Sequence, residues 1–344
     1  MNPYVHIIGA QAKRVINRMA MRLGFRIIAI QDDELGYLTP SDSARESVPE
    51  ALYPQLTASN PRLRELRARY AQVPGPLPLR TIWGRAYLAG ELQLPFFRAD
   101  NAYVWQYRNI RVDLRKKYYL YARYIAERDP RGLLHALTED GAFGCGTIAF
   151  HNLPVISRDL LDSINEIYFL DRALGLFERQ GFTVLDIGAG YGRLAHRMAC
   201  ALPGLGHYYC TDAVPESTFL SEIYLQHRRC AGKTSVIPLD ELSATLGGKA
   251  IDLAVNIHSF SEMGYDSIAA WLQLVAELNI PHLLIVPNQA EQLVSCEKDL
   301  SRRDFLPLLQ TLGYRLKRKE PYLLDPDVQE LVRIYDNFFL FECG

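Results

Sequence analysis

The residues most suited to chemistry lie in one short segment, D-I-G-A-G-Y-G, at positions 186–192. It follows a short apolar run typical of a buried strand and precedes a helix-like pattern. Glycine in such a turn allows tight backbone conformations and lets a ligand approach the backbone N–H groups and the helix N-terminus. Asp186 adds a carboxylate two residues before the first glycine. We therefore expect the whole turn to bind a nucleotide-like cofactor, through Asp186, Gly188, Ala189, Gly190, Tyr191 and Gly192.

Two further carboxylates follow the next predicted strands. Asp212 comes 212 − 190 = 22 positions after Gly190. In nucleotide-binding sheets an acidic side chain about 20 residues beyond the glycine turn meets the ribose hydroxyls. Asp240 ends the strand after that one. The sequence thus predicts that Asp212, its neighbour Ala213 and Asp240 contribute to the same cofactor site.

A second segment with potentially catalytic side chains, H-S-F-S-E-M, occupies positions 258–263 directly after another predicted strand. An imidazole at the end of a strand is a candidate general base, because its ordinary pKa lies near neutral pH. The alternative role for His258 is to cap the loop or bond to the backbone. Glu262 is suited to orient the imidazole, to contact a substrate hydroxyl or to bind a cation. We therefore assign His258 and Glu262 as candidate catalytic residues.

A predicted helix at 157–172 carries three carboxylates on one face. Asp159, Asp162 and Glu166 are spaced three and four residues apart, so they are neighbours on a helix. That spacing by itself favours a solvated surface, and the alternative is the lining of a pocket. On the alternative reading, Asp159 and Asp162 are candidates for binding substrate, together with Tyr191.

These residues require a sheet to position them. Strand-like runs alternate with helical patterns from position 183 to the end, and the strands are expected at 183–185, 207–212, 235–239, 251–257, 282–286, 314–319 and 337–342. Such alternation predicts an α/β, Rossmann-like sheet of seven mostly parallel strands covered on both faces. Ligands bind such sheets outside the carboxyl ends of the strands. Residues 1–175 are expected to form a mainly helical region that binds or covers the acceptor, and 176–344 the cofactor-binding domain.

Aromatic residues concentrate between Trp83 and Tyr124. The simplest explanation is a helix at 110–127 with Tyr118, Tyr121 and Ile125 facing the protein. Aromatic rings also form flat platforms for small acceptors such as sugars.

Composition excludes some classes of protein. The 344 residues carry a net charge of −1, so no electrostatic feature suggests nucleic-acid binding. The six cysteines are scattered without zinc-ligand spacing, which indicates reduced thiols in a cytoplasmic protein. We expect no membrane span. A basic helix at 11–24 is compatible with docking on the protein or with peripheral membrane contact.

The pattern D-x-G-x-G-x-G resembles motif I of the class I S-adenosylmethionine (SAM) methyltransferases. Together with E-D-G-A-F-G at 139–144, S-R-D-L-L-D-S at 157–163 and N-I-H-S-F-S-E-M at 256–263, it resembles the sugar O-methyltransferases of glycan and natural-product gene clusters. The resemblance covers about residues 60–344. It implies SAM as the methyl donor, a contact between Asp186 and the amino-acid end of SAM, and a sugar hydroxyl as acceptor.

Alternatives remain at this point. The acceptor is a sugar in a glycan, glycolipid or glycosylated natural product, or instead a lipid or polyketide hydroxyl. A NAD-dependent oxidoreductase or a non-catalytic nucleotide-binding module is the alternative of another class, but Arg193 stands where a dinucleotide site needs its third small residue. The carboxylates Asp159, Asp162 and Glu262 suit Mg²⁺ chemically, yet their spacing defines no shared site, so the metal is unassigned. A homo-oligomer is compatible with the sequence.

Overall fold

The computed structural model describes residues 38–39, 47–79, 81–99, 114–289 and 291–344. The predicted helix at 11–24, the first residues of the predicted helix at 110–127, and Trp105 lie outside these ranges.

A sheet of seven strands forms the centre of the molecule. In chain order its strands are β4 (Phe182–Ile187), β5 (Leu205–Thr211), β6 (Thr234–Val236), β7 (Leu253–Ile257), β8 (His282–Val286), β9 (Tyr314–Pro321) and β10 (Asn337–Cys343). Their spatial order is β6-β5-β4-β7-β8-β10-β9. The first five run parallel, and β10 pairs antiparallel with both β8 and β9. The predicted α/β fold with a seven-stranded, mostly parallel sheet is confirmed.

A second, antiparallel sheet precedes it, formed by β1 (Leu38–Thr39), β2 (Thr147–Phe150) and β3 (Leu153–Ile156). This small sheet was not predicted. The described helices are α1 (Pro61–Tyr70), α2 (Arg85–Glu91), α3 (Leu114–Ala126), α4 (Leu133–Ala136), α5 (Arg158–Leu174), α6 (Arg193–Ala201), α7 (Pro215–His227), α8 (Leu242–Leu246), α9 (Tyr265–Glu277), α10 (Leu306–Thr311) and α11 (Pro326–Val332). None of the helices in the described part of the chain combines the length and apolar character that a bilayer crossing requires.

Local sequence explains the helix ends near the site. Helix α5 begins at Ser157, whose hydroxyl accepts the Leu160 N–H at 3.1 Å, and it ends at Gly175 in the left-handed conformation. Helix α3 buries Tyr118, Tyr121 and Ile125, as its periodicity predicts. The expected domain boundary near residue 175 coincides with the α5 cap and stays a prediction.

The central strands are apolar on both faces because helices cover both sides of the sheet. Val184 and Leu185 of β4 are fully buried, as are Leu253 and Val255 of β7. Burial of such side chains contributes about 25 cal/mol per Å² of apolar surface and dominates the stability of the sheet.

The acidic face of α5 is largely removed from solvent, with Asp159 and Glu166 buried and Asp162 partly buried. The solvated surface that the spacing favoured over a pocket lining was therefore wrong. Glu166 is 1% exposed and accepts two hydrogen bonds from the Arg193 guanidinium, both at 2.8 Å. Asp162 accepts from Tyr121 Oη at 2.9 Å and from Arg158 Nε at 3.1 Å. Spacing within the helix could not show this, because most of the partners come from other segments of the chain.

A buried ionic network ties the segment around residue 139 to the sheet domain. Glu139 accepts from Arg98 Nη2 at 2.9 Å, from Arg197 Nη2 at 2.8 Å and from Ser157 Oγ at 2.6 Å. Burial alone would raise the pKa of Glu139, but the two guanidinium groups outweigh it and hold the pKa at about 2. The carboxylate is therefore charged and fully paired inside the protein.

Replacing Glu139 should destabilise the fold strongly. Glu139→Ala removes the carboxylate that two buried guanidinium groups share and leaves Arg98 with Asp159 as its nearest remaining carboxylate. We expect this loss to cost about 3–5 kcal/mol in free energy of unfolding by urea denaturation. Because the folded pKa lies below the unfolded value of about 4.3, this contribution is present above that pH and is lost as the pH falls toward 2. Glu178→Ala, which breaks an exposed pair with Arg131, should cost less than about 1 kcal/mol. Equal losses in the two variants would contradict this account.

Candidate functional site

The turn after β4 has the backbone that its glycines predict. Gly188, Gly190 and Gly192 have φ angles of +75°, +59° and +84°, in the left-handed region that favours glycine. A Cβ at Gly188 would lie 2.1 Å from the Ser259 hydroxyl oxygen, far inside contact distance. The loop after β7 thus leaves no room for a side chain at position 188, whether or not a ligand is bound.

Two buried aspartates flank this turn. Asp186, in β4, accepts from Tyr208 Oη at 2.8 Å, and burial raises its pKa to about 7. Asp212, directly after β5, accepts the N–H groups of Gly190 at 3.1 Å and Val214 at 2.8 Å. Burial raises the pKa of Asp212 to about 6, against the opposing effect of those two hydrogen bonds. A bound cation, or hydroxyl groups donating to these carboxyls, would favour their ionised forms and lower both pKa values.

The β7 side of the turn is fixed by Asn256, which the sequence reading missed. Its amide nitrogen donates to the Ile187 carbonyl at 2.8 Å and to Ser259 Oγ at 2.5 Å, and its carbonyl oxygen accepts from the Phe260 N–H at 3.0 Å. The sequence signal that could have found Asn256 is a single amide within the apolar run L-A-V-N-I. In the structure this amide is fully buried. Such a residue must find partners, and here they are the two loops of the site.

His258 follows β7 at the same edge of the sheet, as predicted. Its φ of +68° is unusual for a residue with a side chain and sets the direction in which the loop leaves the strand. Its Nε2 lies 3.3 Å from Asp336 Oδ2, a distance typical of an ion pair rather than of a well-aligned hydrogen bond. Burial lowers the pKa of His258, but the Asp336 carboxylate outweighs it, so the pKa is raised above its ordinary value.

Asp336 was not predicted, and its position follows from the direction of β10. Residue 336 precedes β10, which runs antiparallel to β8. The start of an antiparallel strand lies at the same edge as the carboxyl ends of the parallel strands. Ligands bind at the carboxyl ends of parallel strands, so residues just before an antiparallel strand of the same sheet are also candidates for the site.

Glu262 connects this edge to the N-terminal part of the chain. It accepts from Trp83 Nε1 at 2.6 Å and from the Asn288 amide at 3.2 Å. Burial raises the pKa of Glu262, opposed by the Trp83 hydrogen bond and by the charge of His258. Trp83 also packs edge-on against Tyr87, with ring centroids 5.5 Å apart. The aromatic pair thus lies beside the Glu262 carboxylate, and the charge of that carboxylate acts on the His258 imidazole.

The remaining predicted substrate residues are already hydrogen-bonded within the protein. The Tyr191 hydroxyl donates to Asp159, which also accepts from Arg98 Nε at 3.3 Å. The Tyr191 ring is buried between aromatic neighbours, including Phe97 at 5.2 Å. Asp162 is bonded to Tyr121 and Arg158. Their assignment to substrate binding stays a prediction.

Asp240 is placed differently from the other cofactor candidates. It lies in a 3₁₀ turn, Leu239–Glu241, rather than directly at the end of β6. Arg69 of α1 donates to its two oxygens at 2.8 and 2.9 Å. Ala213, next to Asp212, is buried. Asp240 would therefore have to contact a cofactor while it stays paired with Arg69. Its role in cofactor binding remains a prediction.

The structure therefore gathers Asp186, Asp212, His258 and Glu262 at one edge of the sheet. The charge of Glu262 acts on both Asp212 and His258, and that of Arg158 acts on His258. Among the described residues, Asp159, Asp162 and Glu262 do not converge on a point where three of their oxygens would hold a metal ion. The set can place a cofactor in the glycine turn beside an imidazole held by a carboxylate.

Comparison with known proteins gives structural likeness only. No family model matches the chain, and no curated protein matches it significantly. Similar solved structures include magnesium protoporphyrin IX methyltransferase from Synechocystis PCC 6803 with bound SAM, at 15% identity over 54% of this chain and 83% of that one, with a TM-score of 0.39. The mitomycin 7-O-methyltransferase matches at 17% identity over 53% of this chain and 52% of that one, with a TM-score of 0.39.

A SAM-dependent methyltransferase from Aquifex aeolicus is also similar, at 17% identity over 52% of this chain and 96% of that one, with a TM-score of 0.36. Likeness of this degree carries no argument about the reaction. Cofactor and chemistry therefore have to be inferred from the site itself.

The His258–Asp336 pair predicts a measurable pKa. In an NMR titration of the ring resonances, His258 should titrate above about 6.5, and Asp336→Asn should lower its pKa, because the variant removes the carboxylate that outweighs the effect of burial while Glu262 and Arg158 stay in place. Glu330→Gln removes an exposed carboxylate from the same segment and serves as the matched control. An unchanged His258 titration in Asp336→Asn would contradict the pairing.

Proposed function

We propose that the chain is a SAM-dependent O-methyltransferase that transfers a methyl group to a sugar hydroxyl, in a glycan, a glycolipid or a glycosylated natural product. One observation carries the proposal. A glycine turn flanked by two buried carboxylates and an imidazole paired with a carboxylate lie at the same edge of one mostly parallel sheet. The turn suits the donor, and the imidazole suits a hydroxyl acceptor.

The cofactor residues fit SAM by their chemistry. The Asp186 carboxyl is buried within the strand that leads into the turn, and it is suited to the ammonium group at the amino-acid end of SAM. Asp212 accepts from two backbone N–H groups and from the Ser217 side chain, and a carboxylate has about four acceptor positions, so it can still accept from a ribose hydroxyl. Glycine at position 190 keeps the backbone accessible between them. When bound, SAM supplies an electrophilic methyl group on a sulfonium.

The protein's part in the reaction is to position the acceptor and to remove its proton. Holding the acceptor oxygen in line is worth up to about 7–11 kcal/mol in well-oriented systems. A sugar hydroxyl is a poor nucleophile at neutral pH, so His258 takes its proton as the new bond forms, which typically contributes about 10²–10⁴-fold. Asp336 orients the ring and stabilises the imidazolium that results. Glu262 is placed to accept from a second hydroxyl.

A sugar acceptor is favoured over a lipid or polyketide by the groups around Glu262. The Glu262 carboxylate accepts from Trp83 Nε1 at 2.6 Å, and the Trp83 ring packs edge-on against Tyr87. Sugars combine apolar faces with hydroxyl donors, which such a set recognises. A purely apolar acceptor would offer the Glu262 carboxylate no hydrogen-bond donor. The resemblance of the motifs to sugar O-methyltransferases points in the same direction.

A dinucleotide cofactor is disfavoured by Arg193. This residue occupies the position of the third small residue in the dinucleotide pattern, and its guanidinium forms a bidentate pair with buried Glu166. The pair fixes the first turn of α6 against α5. In dinucleotide sites a small residue at this position lets the helix pack closely against the strand. Here the arginine at position 193 makes an ionic contact instead.

Binding measurements should separate these cofactors. SAM and S-adenosylhomocysteine should raise the melting temperature of the protein, and NAD should not. Asp212→Ala should weaken SAM binding at least about tenfold in calorimetry, because it removes the acceptor for the ribose and for the Gly190 N–H. Asp266→Ala, at an exposed aspartate, is the control. Full SAM affinity in Asp212→Ala, or stabilisation by NAD alone, would refute the cofactor assignment.

The base assignment predicts a pH profile. The value of kcat/KM should rise with pH through a pKa above about 6.5, because His258 must be neutral to accept a proton and its pKa is raised. His258→Ala should lower kcat by about 10²–10⁴-fold with little change in SAM affinity, and Asp336→Asn should shift the profile to lower pH. The exposed His135→Ala is the control.

Treatment with EDTA distinguishes a metal-assisted reaction. Activity that is lost in EDTA and restored by Mg²⁺ would assign the activation of the acceptor to a cation instead of His258. Near-full activity of His258→Ala without metal would exclude the base assignment.

A further inference from the structure

We propose that His196, Cys200 and Cys230 form a binding site for Zn²⁺, separate from the edge of the sheet described above. The three side chains are the one group of metal-ligating residues that converges among those described. One ligand atom from each residue lies within 4.8 Å of the other two. The thiolate and imidazole donors are those that zinc prefers.

The fold brings the ligands together from two elements. His196 and Cys200 are four residues apart on α6, so they lie on the same face of that helix. Cys230 follows α7, where its N–H donates to the Leu225 carbonyl at 3.0 Å. Donors in a tetrahedral zinc site are about 3.5–3.8 Å apart, given bonds of about 2.3 Å to sulfur and 2.0–2.1 Å to nitrogen. Side-chain movements of about 1 Å would complete the geometry.

The imidazole is already oriented for coordination. His196 Nδ1 lies 3.0 Å from the hydroxyl of the buried Tyr224, which leaves Nε2 as the nitrogen for a metal. Metal-bound histidines generally have such a partner on the second nitrogen, which fixes the ring. Tyr224 itself packs edge-on against Tyr191 of the glycine turn, with centroids 5.0 Å apart.

The exposure of the three residues defines the kind of site. His196 and Cys230 are buried, whereas Cys200 is exposed, so the fourth zinc position faces solvent and would be taken by water. A bound ion would join the end of α6 to the segment after α7. Helix α6 starts at the glycine turn, so the ion would stabilise the element that presents the turn.

Metal titration of the reduced, chelator-treated full chain tests the proposal. One equivalent of Co²⁺ should produce a thiolate-to-cobalt charge-transfer absorption, Zn²⁺ should displace it, and Zn²⁺ should raise the melting temperature. Cys200→Ser should weaken Co²⁺ binding at least about tenfold, and this exposed position should tolerate the change. Cys343→Ser, at another exposed free cysteine, should bind as the unchanged chain does.

Two results would overturn the site. One is equal Co²⁺ affinity in Cys200→Ser and Cys343→Ser, which would mean that binding occurs elsewhere. The other is the absence of any thiolate–cobalt absorption in the reduced chain, with mass spectrometry finding Cys200 joined to Cys230 by a disulfide in protein purified without reductant. That second result would assign the pair to thiol oxidation instead.

Discussion

The site depends on how tightly the glycine turn is held between its two neighbouring strands. On one side Asp212 binds the Gly190 N–H, and on the other Asn256 and Ser259 bind the Ile187 carbonyl. There is no room for a side chain at Gly188, where a Cβ would lie 2.1 Å from Ser259 Oγ. The turn is therefore preorganised by the loops that follow β5 and β7.

Buried charge connects this turn to the rest of the molecule. Glu139 and Glu166 lie in or before α5, and they pair with Arg197 and Arg193, both on the helix that starts at the turn. Breaking such pairs is costly, because the remaining charge is left in a medium of low dielectric. Asp186 and Asp212 differ from them. No cation bonds to either carboxylate among the hydrogen bonds of the described residues, and the pKa values of about 7 and 6 reflect that.

The sequence predicted the sheet well because alternation and strand-end carboxylates are local signals. Residues 282–286 were predicted as a strand with the bounds that β8 has, and Asp212 and His258 follow their strands as expected. Helix α11 was not predicted, although Asp325 and Pro326 form a local start signal, a capping side chain followed by proline in the first turn.

What could not be predicted involves partners that are distant in the chain. The carboxylates of α5 read as surface because Arg98, Tyr121 and Arg193 are not visible from spacing. Asp336 could be found only after the direction of β10 was known. The cysteines lacked zinc-ligand spacing because Cys230 lies 30 residues beyond Cys200 and is brought back only by the packing of α7.

A structure of the chain with S-adenosylhomocysteine bound tests the central claim most directly. The account predicts the ribose hydroxyls within about 3.2 Å of Asp212 and the sulfur facing His258 across a gap wide enough for a methyl group and an acceptor oxygen. A ligand bound away from the glycine turn, or a sulfur directed away from the His258–Asp336 pair, would contradict it.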